Sequence, residues 1–144
     1  MKKIYVAAVV TGLLVGLVAA PAFAGTAYGN WLYQTTVNPN QRGRSIVVTG
    51  QNGGAAQSQQ GPNNGTVQSG WSGALPRALN SGGVIAQGNW CYNSGSLSSG
   101  AVVGCSVNFS GNGSYKSQGL LRAYNGSGYN TYTSPATTYQ NIPG

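Results

Sequence analysis

Hydrophobic and polar residues alternate along several short stretches of the chain, and this pattern predicts strands rather than helices. The clearest case is the segment 103–109, in which Val, Cys, Val and Phe alternate with Gly, Ser and Asn. Because successive side chains of a strand point to opposite faces, the apolar residues of this segment, Cys105 among them, are expected to share one face.

Aromatic and β-branched residues between Gly, Asn and Pro predict the other strands. The expected segments are 28–37, 45–49, 83–92, 115–124, 129–133 and, at an edge, 137–142. Gly and Asn at the connections, as in 111–113 and 125–128, tolerate the positive φ angles of tight turns. Short strands joined by such turns predict an all-β fold, a small antiparallel β-sandwich or barrel-like domain with Gly- and Asn-rich loops.

Two segments lack the strand pattern. Residues 50–70 consist almost entirely of Gly, Asn, Gln, Ser and Ala. These residues have little apolar surface to bury, so we expect a flexible low-complexity loop there. Residues 75–80 are expected to form one helical turn that ends at Gly82 and Gly83.

The chain begins with the pattern of an export signal. Two Lys residues precede an almost continuous apolar run over 4–20, and the small residues that follow suit cleavage after Ala24. We therefore expect residues 1–24 to be a cleaved Sec signal peptide and 25–144 to form a single secreted domain, with no transmembrane span in the mature form. A retained membrane anchor is the alternative.

Two Cys residues in an exported chain favour a disulfide. A bridge between Cys91 and Cys105 would close a loop of about 15 residues and stabilise a small domain by about 3 kcal/mol. We expect it to staple a hairpin formed by 83–92 and 103–109. A catalytic or metal-binding thiol is the alternative, but the sequence offers no His or acid to activate or complete it.

The neighbourhood of this disulfide carries a family resemblance. Cys91-Tyr92-Asn93-Ser94, followed by Cys105 and then by 113–115 (Gly-Ser-Tyr), resembles the disulfide hairpin of cyanovirin-type lectins in spacing. The resemblance covers only this stretch, and the acidic residues typical of that family are missing. We therefore transfer no binding residues from it.

The charge composition excludes most enzymes. The sequence has seven Lys and Arg residues but no Asp, Glu or His, which gives a formal net charge of +7. Without carboxylates or imidazoles, the chain lacks the usual general acids and bases and the usual metal ligands. We therefore expect no catalytic residue, no cofactor and no metal site, which leaves a binding, structural or antimicrobial role.

Aromatic and basic residues near the C-terminus form the candidate binding surface. Tyr rings beside cations and neutral amides suit stacking on carbohydrate and contacts with anionic polymers. The candidate residues are Tyr115, Lys116, Arg122, Tyr124, Tyr129 and Tyr132, with Tyr139 near them. The alternative is that these rings cover a thin core.

The pattern Gly-Asn-Trp-x-Tyr occurs twice, at 29–33 and 88–92. A duplicated half-domain would give two equivalent strands and suit a two-site binder. Coincidence in a chain rich in Gly, Asn and Tyr is the alternative, and we favour it because the flanking residues differ.

Together these features predict a secreted, non-enzymatic extracellular surface protein, an adhesive or self-assembling subunit of a fibre or matrix. Uncharged strands favour self-association because they lack the charged residues that block edge pairing. A cationic, bacteriocin-like antimicrobial protein acting on anionic cell envelopes is one alternative, and a small glycan-binding module is another. The expected partners are copies of the chain or anionic cell-surface polymers and glycans. Specific nucleic acid is not expected because no reading motif is present.

Overall fold

A computed structural model describes residues 25–143. All regular secondary structure in this part of the chain is β-strand. The fifteen strands are β1 (Gly25–Tyr28), β2 (Leu32–Gln34), β3 (Gln41–Thr49), β4 (Gly53–Pro62), β5 (Thr66–Val67), β6 (Ser72–Leu75), β7 (Arg77–Asn80), β8 (Gly83–Gln87), β9 (Cys91–Tyr92), β10 (Leu97–Ser98), β11 (Val103–Ser110), β12 (Gly113–Ser117), β13 (Leu120–Tyr124), β14 (Tyr129–Thr133) and β15 (Gln140–Ile142). The predicted all-β fold is confirmed. The signal peptide predicted over 1–24 lies outside the described residues.

The strands form three antiparallel sheets and one short ladder. The long sheet has the order β1-β3-β4-β11, with β2 also paired to β3. The second sheet has the order β14-β13-β6-β9, and the third has the order β15-β12-β7-β8. Strand β4 of the long sheet contacts both β6 and β7, so the other two sheets pack against the long one as a small β-sandwich. The remaining ladder pairs β5 with β10.

An apolar core lies between the long sheet and the third sheet. Its buried members are Val47, Ala56, Ala78, Phe109, Tyr115 and Ile142. Phe109 and Tyr115 have ring centroids 4.4 Å apart and fill the largest share of this space.

The centre of the long sheet is β4, in the segment where the sequence predicts a flexible loop. That prediction is wrong for residues 53–62, since β4 pairs with β3 on one side and with β11 on the other. Its small Gly, Ala and Ser residues suit a strand that neighbouring backbone approaches closely. A Cβ at Gly61, for example, would approach the backbone of Val102 to 2.9 Å.

Buried glutamines replace apolar side chains between the long sheet and the second sheet. The Gln60 amide donates to the side-chain oxygens of Gln34 (2.5 Å) and Gln41 (3.0 Å), and Gln34 donates back at 2.9 Å. Ser72 Oγ donates to the same Gln41 oxygen at 2.6 Å. We call Gln34, Gln41 and Gln60 the glutamine cluster. Polar side chains are tolerated there because their amides find partners.

The helical turn predicted over residues 75–80 is also wrong. Leu75 ends β6, Arg77 begins β7, and Pro76 lies between them. Leu75 pairs with Leu120 in the second sheet, whereas Arg77 pairs with Gln87 in the third. The chain therefore stays extended and changes sheet at Pro76, because pairing with distant strands outweighs local helical preference.

The other predicted strands are present with altered boundaries. Segments 103–109 and 129–133 correspond to β11 and β14, and 45–49 is part of the longer β3. Three long predicted strands are each divided in two. Segment 28–37 contains the end of β1 and all of β2, and segment 83–92 contains β8 and β9. Segment 115–124 contains part of β12 and all of β13. The predicted C-terminal edge strand appears as β15, paired with β12.

Cys91 and Cys105 form the predicted disulfide, but the bridge does not staple a hairpin. Strand β9 pairs with β6 in the second sheet, whereas β11 pairs with β4 in the long sheet. The disulfide therefore joins edge strands of two different sheets.

Among residues 25–143, we find no helix with the length and apolar character needed to cross a membrane.

Candidate functional site

Five aromatic rings form a continuous row on the outer face of the second sheet. Their neighbouring centroids are separated by 5.3 Å for Trp71–Tyr124, 5.7 Å for Tyr124–Tyr129, 5.5 Å for Tyr129–Tyr92 and 6.1 Å for Tyr92–Trp90. These distances are typical of interacting rings. We call these five residues the aromatic row.

Strand register brings the rings together. Tyr124 lies directly opposite Tyr129 across β13 and β14, and Tyr92 lies opposite Gly73 across β9 and β6. A Cβ at Gly73 would stand 2.6 Å from Cε1 of Tyr92. Because Gly73 has no side chain, the Tyr92 ring can lie across β6 towards Tyr129.

Arg122 lies beside the Trp90 end of the aromatic row, against Trp90, Tyr92 and Tyr129. Its guanidinium carbon is 4.1 Å from the Trp90 ring centroid and 5.7 Å from that of Tyr129. Its Nη1 donates to the Tyr92 hydroxyl at 2.6 Å, and its Nε donates to Thr131 Oγ1 at 3.4 Å. The sequence contains no Asp or Glu, so no side-chain carboxylate neutralises this charge. Arg122 is fixed by rings and hydroxyls and keeps its positive charge available to a ligand.

The surroundings of Tyr129 raise the pKa of its hydroxyl. Burial raises its pKa above the usual value, and the neighbouring Tyr92 and Tyr124 add to this effect, while Arg122 opposes it. The hydroxyl donates to the Gly70 carbonyl at 2.6 Å. This bond orients the ring, which remains 41% exposed.

The disulfide lies at one end of the aromatic row. Cys91 stands between Trp90 and Tyr92 in the chain and is bonded to Cys105 in β11. Since β9 has only two residues, the bridge adds a covalent link to the hydrogen bonds that hold this end of the row in place.

Three of the six predicted surface residues belong to this site. Tyr124 and Tyr129 are members of the aromatic row, and Arg122 lies beside them. Tyr132 lies on the opposite face of β14, where it pairs with the buried Leu121. Its hydroxyl is 3.4 Å from Thr36 Oγ1, on the connection between β2 and β3.

The other two predicted residues lie on β12 in the third sheet. The prediction that Tyr115 belongs to the binding surface is wrong, since Tyr115 is only 6% exposed and packs on Phe109 in the apolar core. Lys116 lies over the Tyr139 ring, with Nζ 4.9 Å from the centroid. The alternative in which the rings cover a core therefore applies to Tyr115 and not to the aromatic row.

The sequence-based choice of residues missed Trp71, Trp90 and Tyr92. A signal for two of them was present, because Trp90 and Tyr92 belong to the second Gly-Asn-Trp-x-Tyr copy and a spacing of two favours a shared strand face. What the sequence lacked was the partner strand. Only the pairing of β9 with β6 brings these rings next to Tyr129.

The aromatic row has the chemistry of a stacking platform. Trp and Tyr offer flat apolar faces, which pack on the apolar faces of sugar rings, and their hydroxyls and neighbouring amides offer hydrogen bonds. Comparison of the chain with protein-family models, with curated proteins and with solved structures found no match.

Proposed function

We propose that this chain is an exported, non-enzymatic surface protein that adheres to polysaccharide through the aromatic row. The observation that carries the proposal is the run of five adjacent rings that stay outside the apolar core. A row of this length suits a polymer better than a single sugar, because successive rings can stack on successive units. Arg122 adds a charged hydrogen-bond donor beside the Trp90 end of the row.

Two further features support an extracellular role. The disulfide suits an oxidising compartment, where such bridges persist. The pattern of residues 1–24 favours export by the Sec route.

Replacing Trp90 with Ala tests this function. We expect the purified wild-type protein to be depleted from solution by at least one insoluble neutral polysaccharide from a panel of chitin, cellulose and mannan. Removing one stacking ring should weaken that binding about tenfold, because such a contact is worth about 1.5 kcal/mol. The binding should persist in high salt, which screens charges but not stacking.

Tyr139→Ala is the matched control, because Tyr139 is 45% exposed and lies just before β15, against Lys116 of the third sheet and away from the aromatic row. Its binding should equal that of the wild type. The proposal fails if the wild-type protein binds none of these polymers, or if the two variants weaken binding equally. Killing of bacteria by a protein that binds no polysaccharide would favour the antimicrobial alternative.

Self-assembly is a second candidate function, and one edge strand favours it. Strand β8 lies at the edge of the third sheet, carries no charged residue and exposes Val84 (47%) and Ile85 (42%). Such an edge can pair with a strand of another copy.

Electron microscopy near neutral pH tests this assembly. We expect fibres of the wild-type protein, and we expect Ile85→Lys to abolish them because a charge on an edge strand opposes pairing. Gln51→Lys places the same charge in the exposed turn between β3 and β4 and should leave the fibres intact. A wild-type protein that stays monomeric at high concentration contradicts this candidate.

A further inference from the structure

The two Gly-Asn-Trp-x-Tyr copies form the same backbone arrangement, although their flanking residues differ. In the first copy, Gly29 N donates to Ser45 O at 2.8 Å, and Leu32 then pairs with Gly43. Between these two contacts the motif advances one residue more than its partner strand, which is the definition of a bulge.

The second copy repeats this register. Gly88 N donates to Pro76 O at 3.0 Å, and Cys91 then pairs with Ala74, again with one extra residue in the motif. The Trp residue occupies the same place in both bulges. The two tryptophans therefore hold equivalent register positions, although the first copy stays within the long sheet and the second passes from the third sheet to the second.

Each of these tryptophans also contacts arginine. Arg122 lies over Trp90 at 4.1 Å, as part of the aromatic row. Over Trp31 there are two guanidinium carbons, that of Arg42 at 4.0 Å and that of Arg44 at 4.3 Å. The first copy therefore holds twice the charge of the second. We call Trp31, Arg42 and Arg44 the Trp31 site.

The Trp31 site lies on the opposite side of the sandwich from the aromatic row. Arg42 and Arg44 occupy alternate positions of β3. Gly43 between them faces the second sheet, since a Cβ there would stand 2.7 Å from Cδ1 of Leu121 in β13. Arg122 similarly alternates with the buried Leu121 and points away from the long sheet. A ligand of one site therefore does not cover the other.

The two arginines lie close together without a compensating charge. The chain has no Asp or Glu. Arg44 Nε donates to the neutral Gln59 side chain at 3.0 Å, and Arg42 Nε is buried with no hydrogen-bond partner among the described residues. Burial lowers the pKa of Arg44, with Tyr28 opposing this effect and Arg42 adding to it. A bound anion would relieve this repulsion.

We propose that the Trp31 site binds the acidic group of a polysaccharide, a phosphate, sulfate or carboxylate carried on a sugar ring. The planar guanidinium group of arginine can donate two parallel hydrogen bonds to any of these three anions. Tyr28 and Tyr33, both 52% exposed, offer the adjoining sugars a surface to pack on. A nucleic acid fits less well, because it needs a track of cations, and Arg77 and Lys116 lie elsewhere, in the third sheet. This site does not depend on the proposed function of the aromatic row.

Dextran sulfate and neutral dextran of equal length are the probes, with binding measured by isothermal titration at moderate salt. We expect the wild-type protein to bind dextran sulfate and the Arg42→Gln, Arg44→Gln double variant to bind it at least tenfold more weakly, because each lost charge-assisted contact costs about tenfold. The control carries Arg77→Gln and Lys116→Gln. It loses the same net charge and should bind within about threefold of the wild type, because these two cations lie outside the site and removing them changes only long-range attraction, which salt screens.

Equal losses in the two double variants would overturn the proposal, because net charge alone would then explain binding. It would also be overturned if the wild-type protein did not bind dextran sulfate, or if single-stranded DNA bound more tightly with the same dependence on Arg42 and Arg44. Should the Gln variant not fold, Arg42→Lys with Arg44→Lys keeps the charge, loses the fork and should still weaken binding several-fold, whereas unchanged binding would overturn the proposal. Trp90→Ala should leave dextran sulfate binding at the Trp31 site unchanged, which separates a failure here from a failure of the aromatic row.

Discussion

Replacing Gln60 with Ala is expected to lower the free energy of unfolding by about 4 kcal/mol, the largest effect that we predict for a single substitution. Gln60 is fully buried, exchanges hydrogen bonds with Gln34 and donates one to Gln41. Without the Gln60 side chain, the Gln34 amide loses both of its hydrogen bonds to Gln60 and Gln41 loses one partner. The substitution also leaves a cavity between the sheets. A buried polar group without a partner costs about 1–3 kcal/mol, and the cavity adds to that cost.

Denaturant unfolding followed by tryptophan fluorescence measures this effect. Gln68→Ala is the control, since Gln68 is exposed, and it should change stability by less than about 0.5 kcal/mol. Adding Gln34→Met to Gln60→Met should recover part of the loss caused by Gln60→Met alone, because removing both partners leaves fewer unsatisfied groups. A Gln60→Ala protein within about 1 kcal/mol of the wild type would show that the glutamine cluster contributes little.

The glutamine cluster also explains why β4 could not be predicted from the sequence. Periodicity of apolar residues reports burial only when apolar side chains do the packing, and β4 is built from Gly, Ala, Ser and Gln. Its burial depends on amide partners such as Gln34, 26 residues away from Gln60. By contrast, β11 alternates apolar and polar residues, and the β13–β14 hairpin turns at Asn and Gly, so local sequence was sufficient for both.

The candidate site was predictable to a similar degree. Tyr124 and Tyr129 are joined by a short hairpin, so their proximity follows from the sequence. Tyr115 was assigned to the same strand as Tyr124, but the chain changes sheet between β12 and β13 at Gly119. Gly119 N donates to Ser45 Oγ at 2.9 Å, a contact between residues 74 positions apart. No local pattern contains that contact, but two-residue alternation does separate the two tyrosines, because Tyr115 shares the parity of the buried Leu121 and Tyr124 does not.

The glutamine cluster connects the interior to the site. Gln41 Nε2 donates to the backbone carbonyl of Trp71 at 3.2 Å, and Trp71 is one end of the aromatic row. The disulfide holds the other end, at Trp90 and Tyr92. The row therefore depends on two anchors that differ in chemistry, one a buried amide and the other a covalent bond.

Replacing Cys91 and Cys105 together with Ser is expected to lower the free energy of unfolding by about 3 kcal/mol, the value for a bridge that closes a loop of about 15 residues. The bridge spans a sequence separation of 14. A small domain of this size has only about 5–15 kcal/mol of total stability, so the loss should move the denaturation midpoint clearly. Denaturant unfolding of the double variant, and of the wild-type protein with and without reductant, measures it.

The same variant should lose affinity for neutral polysaccharide about as much as Trp90→Ala does. Strand β9 pairs with β6 through Tyr92 and Cys91, and Asn93 N donates to Ser72 O at 3.2 Å, so the bridge is the one covalent link among the described contacts that hold the Trp90 end of the row against Tyr129. Reductant should weaken binding by the wild-type protein and leave the double variant unchanged, which provides the control. If the double variant is less stable but binds as tightly as the wild type, the pairing with β6 and the Arg122 contacts are sufficient to hold the row, and the disulfide serves stability alone.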